Sequence, residues 1–220
     1  MASEHETLRV VVLISGSGTN LQALIDAQIS GAPFEIVAVV SNAPGAFGLE
    51  RAKRRAIPIA VVDHRAYPDR ASFESELARV IDDHDPGLVV LAGFMRILTP
   101  PFVACYLGRM LNIHPSLLPK YRGLHTHERA LAAGDSEHGA SVHFVTAELD
   151  GGPVIIQAVV PVLPDDTPQT LAARVLAQEH VIYPLAVRWF AEGRLWLGSD
   201  RRVYLDGQVL ETPYRLTSGS

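Results

Sequence analysis

The residues from Leu8 to Ile14 constrain the fold more than any other stretch. They are valine-rich, almost wholly apolar, and stop at Ser15-Gly16-Ser17-Gly18. A short apolar run without period-two alternation predicts a strand covered on both faces. Leu21, Leu24, Ile25 and Gln28 then share one helical face. The alternation continues with a strand at 34–40, a helix at 47–56 and a strand at 59–62. Next come an amphipathic helix carrying Phe73, Leu77, Val80 and Ile81, a Pro86-Gly87 break, and a strand from Leu88 to Leu91. Strand and helix in turn predict an α/β fold, an open and mostly parallel sheet with helices on both faces.

The second half is less regular. A fifth strand is expected at 110–113, feeding the Pro-rich stretch His114-Pro115-Ser116-Leu117-Leu118-Pro119. A short helix follows at 127–133. Strands at 140–145 and 153–162 have no helix-length connection, so they can pair as a hairpin. A long helix covers 171–190, with Pro184 predicting a kink or a break. Asp206-Gly207 between short apolar runs predicts a hairpin at about 194–212. No repeat or linker interrupts the 220 residues, and the reading is one domain, 1–220.

Composition narrows the function classes. Hydrophobic residues at 48% and charged residues at 20% exclude a disordered or collagen-like chain. The net charge of -5 argues against sequence-independent nucleic-acid binding, which runs on phosphate neutralisation. The single cysteine, Cys105, excludes an intrachain disulfide and a Cys-based zinc site. The apolar run after Arg9 is too short for a signal-peptide core or for the roughly 20 residues of a membrane span. A soluble cytoplasmic protein is expected.

Ser15-Gly16-Ser17-Gly18-Thr19-Asn20 lies between strand and helix, where backbone amides can receive an anion. Leu21 replaces the third glycine of a dinucleotide fingerprint, and Gly-Lys-Ser/Thr is missing. A small phosphate remains, as does a tight turn with an Asn or Thr cap. On the phosphate reading, a side chain at Gly18 would take the anion's place. Asn112 and His114 share one side of a strand end, where an amide could stabilise an oxyanion and an imidazole could move a proton. The alternative is a histidine satisfied by backbone groups in a Pro-rich loop. Asp150, before Gly151-Gly152-Pro153, is in isolation a turn residue, and matters only if the fold brings it to His114. The spacing of His114, His125, His127 and His143 argues against a metal. The basic run Arg51 to Arg55 is expected to be a solvated helix face.

Several stretches together resemble the phosphoribosylglycinamide formyltransferases, folate-dependent enzymes of purine synthesis. They are residues 11–22, Ala92-Gly93-Phe94-Met95-Arg96-Ile97-Leu98, residues 111–119, Ser141-Val142-His143-Phe144-Val145, Leu149-Asp150-Gly151-Gly152-Pro153 and Gln178-Glu179-His180. The resemblance implies the formyltransferase fold with a Rossmann-like first half. It also implies 10-formyltetrahydrofolate as cosubstrate without a metal, small-molecule partners with neither nucleic acid nor membrane, and a monomer or homodimer. Gly18, Thr19, Asn20, Leu21 and Gln22 would bind the ribonucleotide phosphate, and Glu179 the ribose. Arg70, Met95, Arg96, Ile97, Leu98 and Asn112 would bind the folate. Asn112, His114 and Asp150 would be catalytic, with Asp150 orienting His114 and favouring its protonated form. Leu176 departs from the polar or basic residue common in the family, which shifts phosphate binding toward backbone amides. A formyltetrahydrofolate hydrolase would carry a preceding regulatory domain, and a methionyl-tRNA formyltransferase a basic domain after the catalytic one. A non-catalytic phosphate-sugar sensor would have no use for the proton-moving set.

Overall fold

The computed structural model describes residues 7–217. Eight strands form one sheet. In chain order they are β1 (Leu8–Ile14), β2 (Phe34–Ser41), β3 (Ile59–Val61), β4 (Leu88–Leu91), β5 (Met110–His114), β6 (Glu137–Phe144), β7 (Val154–Pro161) and β11 (Tyr214–Thr217). They lie in the order β11-β7-β6-β5-β4-β1-β2-β3. β1, β2, β3, β4 and β5 run parallel; β6 is antiparallel to both β5 and β7; β11 returns parallel to β7.

Alternate residues of each strand feed two apolar layers, as the two-sided strand pattern requires. Val10, Val12 and Ile14 face α1 (Thr19–Ile29) and α6 (Pro168–Ala191). Val11 and Leu13 face the layer built with α3 (Arg70–Asp82) and α4 (Pro100–Cys105). The open mostly parallel sheet covered on both faces is therefore as expected. Within α6, Tyr183 is fully buried and its hydroxyl lies 2.8 Å from the Leu91 carbonyl and 3.0 Å from the Leu111 carbonyl. One helix is thus anchored at both β4 and β5.

Some local expectations change. The helix α2 (Gly48–Lys53) is shorter than 47–56, and the chain turns at Ala56 with φ 55°. Pro184 does not break α6, which runs for 24 residues along a continuous buried face. α4 carries no helix signal in the sequence because Pro100 and Pro101 resemble loop; at the first turn of a helix the missing N–H costs nothing. The short helix α5 spans Thr126–Ala133. The expected hairpin exists, with Asp206 and Gly207 both at positive φ between β9 (Val203–Leu205) and β10 (Gln208–Val209). It belongs to a three-stranded sheet with β8 (Leu195–Leu197), and the chain then returns to the main sheet as β11. Four mostly exposed residues gave no pattern by which to foresee β11.

Close strand contact makes one glycine indispensable. A Cβ on Gly139 in β6 would stand 1.9 Å from the Ala158 carbonyl oxygen of β7. Gly139→Ala is expected to cost about 2–3 kcal/mol, in the range for forced overpacking, seen as a lower urea midpoint. Gly45→Ala, with nothing within 4 Å of the added methyl, is the control and should leave the midpoint in place.

Candidate active site

β1 lies between β2 and β4, so the chain crosses to the other side of β1 when it enters β4. Open α/β sheets bind ligands at such a reversal, beyond the strand carboxyl ends. Here the loop 15–18 leaves β1 and the stretch 92–99 leaves β4. The two are joined: Ser15 N donates to the Gly93 carbonyl at 3.1 Å, and Met95 N donates to Ser15 Oγ at 2.8 Å.

An open cleft with an enclosed volume of about 100 Å³ lies beside this junction. Arg96, Ile97 and Leu98 line it from the β4 side, Asn112 from β5, and His143 and Asp150 from beyond. The antiparallel register places His143 of β6 directly opposite Asn112. The His143 ring is buried, and burial pushes it below the usual imidazole range. Its Nδ1 lies 2.9 Å from the Phe144 carbonyl and must carry the proton there. Nε2 is then a lone pair that accepts from Asn112 Nδ2 at 3.1 Å. This fixes the Asn112 amide with its donors known and leaves one amide hydrogen for a substrate.

His114 is also buried. Its Nε2 lies 2.8 Å from the Tyr121 carbonyl, and its Nδ1 lies 3.4 Å from Asp150 Oδ2. The Tyr121 carbonyl thus holds Nε2 closely, and Nδ1 faces the Asp150 carboxylate across a longer gap. Asp150 comes close because the loop after β6 folds back. Asp150 adopts a left-handed φ of 48°, and its Oδ2 accepts from Gly123 N at 2.9 Å. A Cβ on Gly152 would sit 1.8 Å from the Phe144 carbonyl oxygen, so only glycine lets the loop pass there. Arg122 clasps Glu148 at the rim.

The second cluster stands on α1 and α6. Asn20 Nδ2 donates to Glu179 Oε2 at 2.7 Å, and both side chains are buried. Burial raises the Glu179 carboxyl, with the Asn20 bond opposing. Two buried polar atoms here, Asn20 Oδ1 and His180 Nε2, have no partner among the described residues. Native structures rarely leave such groups unmet, so the cluster suits a polar ligand. Gly18 caps α1 with φ 70°. What approaches Gly18 is the Gly48 backbone: an added Cβ would lie 2.6 Å from the Gly48 Cα. A side chain there would displace α2 as well as any anion, a correction to the simple phosphate argument.

Other expectations also shift. Arg51 is not part of a solvated face. Its Nε donates to the Ser17 carbonyl at 2.8 Å and its Nη1 to Gln22 Oε1 at 3.3 Å, which holds a cation at the glycine loop. The guanidinium charge and burial both lower His180, burial more. Leu21 is fully buried in the core, so only its backbone can meet a ligand. Thr19 opens α1. Met95 has an exposed side chain and is not among the residues lining the cleft, and its N–H is taken by Ser15. Arg70 is exposed at the first turn of α3 and does not line the cleft. No group of three or more His, Cys, Asp or Glu among the described residues could hold a metal ion. No helix among them is long and apolar enough to cross a membrane.

The sheet reversal, the cleft and the Asn112–His114–Asp150 meeting accord with one class: residues 8–187 match the formyl transferase family, and the chain belongs to it. It is 56% identical over 207 residues to the phosphoribosylglycinamide formyltransferase of Escherichia coli (strain K12), covering 92% of this chain and 96% of that one. The structure of the Coxiella burnetii phosphoribosylglycinamide formyltransferase superposes with a TM-score of 0.92 at 55% identity, over 96% of this chain and all of that one. The human trifunctional purine biosynthetic protein adenosine-3 is 44% identical over 201 residues, 91% of this chain but only 20% of that protein.

Asp150→Asn keeps the turn chemistry, since both residues suit such a position, and removes the charge 3.4 Å from His114. The expected result is a folded protein with severely reduced turnover and an altered pH–rate profile. Superimposable profiles with equal plateaus would reduce Asp150 to a turn residue.

Proposed function

We propose that the chain transfers the formyl group of 10-formyltetrahydrofolate to the amine of N1-(5-phosphoribosyl)glycinamide, releasing tetrahydrofolate and the N-formyl product in de novo purine synthesis. The observation that carries this reading is the convergence of Asn112, His114 and Asp150 beside the cleft walled by residues 96–98. The chain acts as one formyltransferase domain on small molecules, in the cytoplasm, as a monomer or homodimer.

The cleft fits a flat heterocycle with one polar end. Leu91, Leu98 and Val103 supply apolar wall and Asn112 a polar terminus. The bound folate supplies an activated formyl carbon. Asn112 donates its remaining amide hydrogen to the formyl oxygen, which gains negative charge as the amine attacks. His114 keeps Nε2 on the Tyr121 carbonyl and offers its Nδ1–H, held by Asp150 only across 3.4 Å, to the same oxygen as donor and acid. Asp150 orients His114, and its Oδ1, free of the Gly123 bond, accepts the amine's proton through a water; as the tetrahedral intermediate collapses, the bond from the formyl carbon to the folate N10 breaks and that proton passes through the water to N10, releasing tetrahydrofolate. At the other end, Glu179 and Asn20 Oδ1 receive the ribose hydroxyls. The Gly18, Thr19, Asn20, Leu21 and Gln22 backbone receives the phosphate. Arg51 supplies there the positive charge that Leu176 cannot.

Release of folate product with and without the ribonucleotide separates the classes. A transferase requires the amine. Release without it would indicate a hydrolase, and binding without turnover a sensor. Asn112→Ala is expected to lower turnover by on the order of a hundredfold, the usual loss for one oxyanion donor. Near-normal turnover would remove Asn112 from the mechanism. Arg51→Ala is expected to raise ribonucleotide KM by roughly tenfold, since a hydrogen bond to a charged group is worth about 1.5–3 kcal/mol. The same change should leave a phosphate-free riboside unaffected.

A further inference from the structure

The stretch from Phe94 to Leu98 forms one wall of the cleft, yet it belongs to no helix or strand. Among the described residues, nothing hydrogen-bonds the backbone N–H groups of Arg96, Ile97 and Leu98. An irregular segment with no ladder of its own keeps its shape only if its ends are fixed. Its near end is fixed by Ser15, whose Oγ accepts from Met95 N and whose hydroxyl donates to Asn42 Oδ1 at 2.5 Å. Its far end is Thr99. There the backbone N–H donates to Glu74 Oε1 at 2.8 Å, and the hydroxyl donates to Glu74 Oε2.

Glu74 lies on α3 and is only 5% exposed. Among the described residues it has no ion-pair partner. Burying a carboxylate without a cation is costly. The two donors that meet it both come from Thr99, and hydrogen bonds to a charged acceptor are about twice as strong as neutral ones. Thr99 is the residue before α4, where a threonine hydroxyl ordinarily caps the helix; here it makes no such bond and is turned to Glu74 instead. The arrangement gives up a local cap to clamp the wall.

We propose that Glu74 is a positioning residue for the folate: through Thr99 it fixes the far end of the Phe94–Leu98 wall, so that the free backbone groups of residues 96–98 meet the cosubstrate in one geometry. This rests on the reading of residues 96–98 as the folate wall.

The test uses Glu74→Gln, Thr99→Val and their double variant, with Ile97→Asp as a direct probe of the wall. Glu74→Gln keeps the size and removes the charge; Thr99→Val removes one donor and leaves the other. Each single variant is expected to raise folate KM three- to tenfold. Ribonucleotide KM and kcat at saturating folate should stay within about twofold, and the double variant should be no worse than the worse single, because the two residues act as one unit. Ile97→Asp should also raise folate KM. Unchanged folate KM in both single variants, with Ile97→Asp raising it, overturns the role of Glu74 and leaves the wall reading intact. If Ile97→Asp also leaves folate KM unchanged, the wall reading falls and the proposal with it. Parallel loss in both KM values and kcat, tracking a lower Tm, would show a purely structural residue and likewise overturn it.

Discussion

Everything at the site depends on β1 having neighbours on both sides that come from different parts of the chain. β2 flanks it on one side and β4 on the other, and its last five residues are buried completely. Because β1 cannot shift without disturbing both apolar layers, the loop that leaves it is held in place relative to the stretch that leaves β4. The Ser15 hydroxyl and the Ser15–Gly93 backbone bond then tie the two exits directly. Tyr183 adds a third tie, from α6 to the end of β4 and the start of β5, close in sequence to Glu179. The cleft at residues 96–98 and the Asn20–Glu179 cluster are therefore mounted on one frame rather than on separate lobes.

The frame was legible in the sequence because it rests on local signals. Leu8 to Ile14 and Leu88 to Leu91 are apolar runs bounded by turn residues, and both strands fall within those limits. Asn112 and His114 were also visible, since two residues apart on a strand end means one side. Asp150 was not legible from its own surroundings. Its closeness to His114 comes from a loop that reverses over β6, and the device that permits it is the missing side chain of Gly152. Only the family resemblance pointed to that meeting.

Two residues show what sequence patterns do not carry. His143 orients Asn112, but the pairing depends on the antiparallel register of β5 and β6, which no local pattern fixes. Arg51 sits in a basic run that looks solvated, and its neighbours Lys53 and Arg55 are indeed exposed. Its own guanidinium turns inward because α2 is pressed against the glycine loop at Gly18 and Gly48. In each case the decisive contact spans about thirty residues of chain.

The late strand β11 has a consequence for the behaviour of the whole molecule in concentrated solution. β7, Val154–Pro161, is eight residues without a single charge, and its composition is that of a segment prone to self-association. A strand of this kind at a sheet edge would offer its open hydrogen-bonding groups to another copy. β11 occupies that edge with a four-residue strand carrying Arg215, and the opposite edge is the three-residue β3. Among the described residues the sheet thus ends at both sides in short strands, the length by which natural sheets blunt edge-to-edge pairing, and the uncharged β7 is kept off the edge.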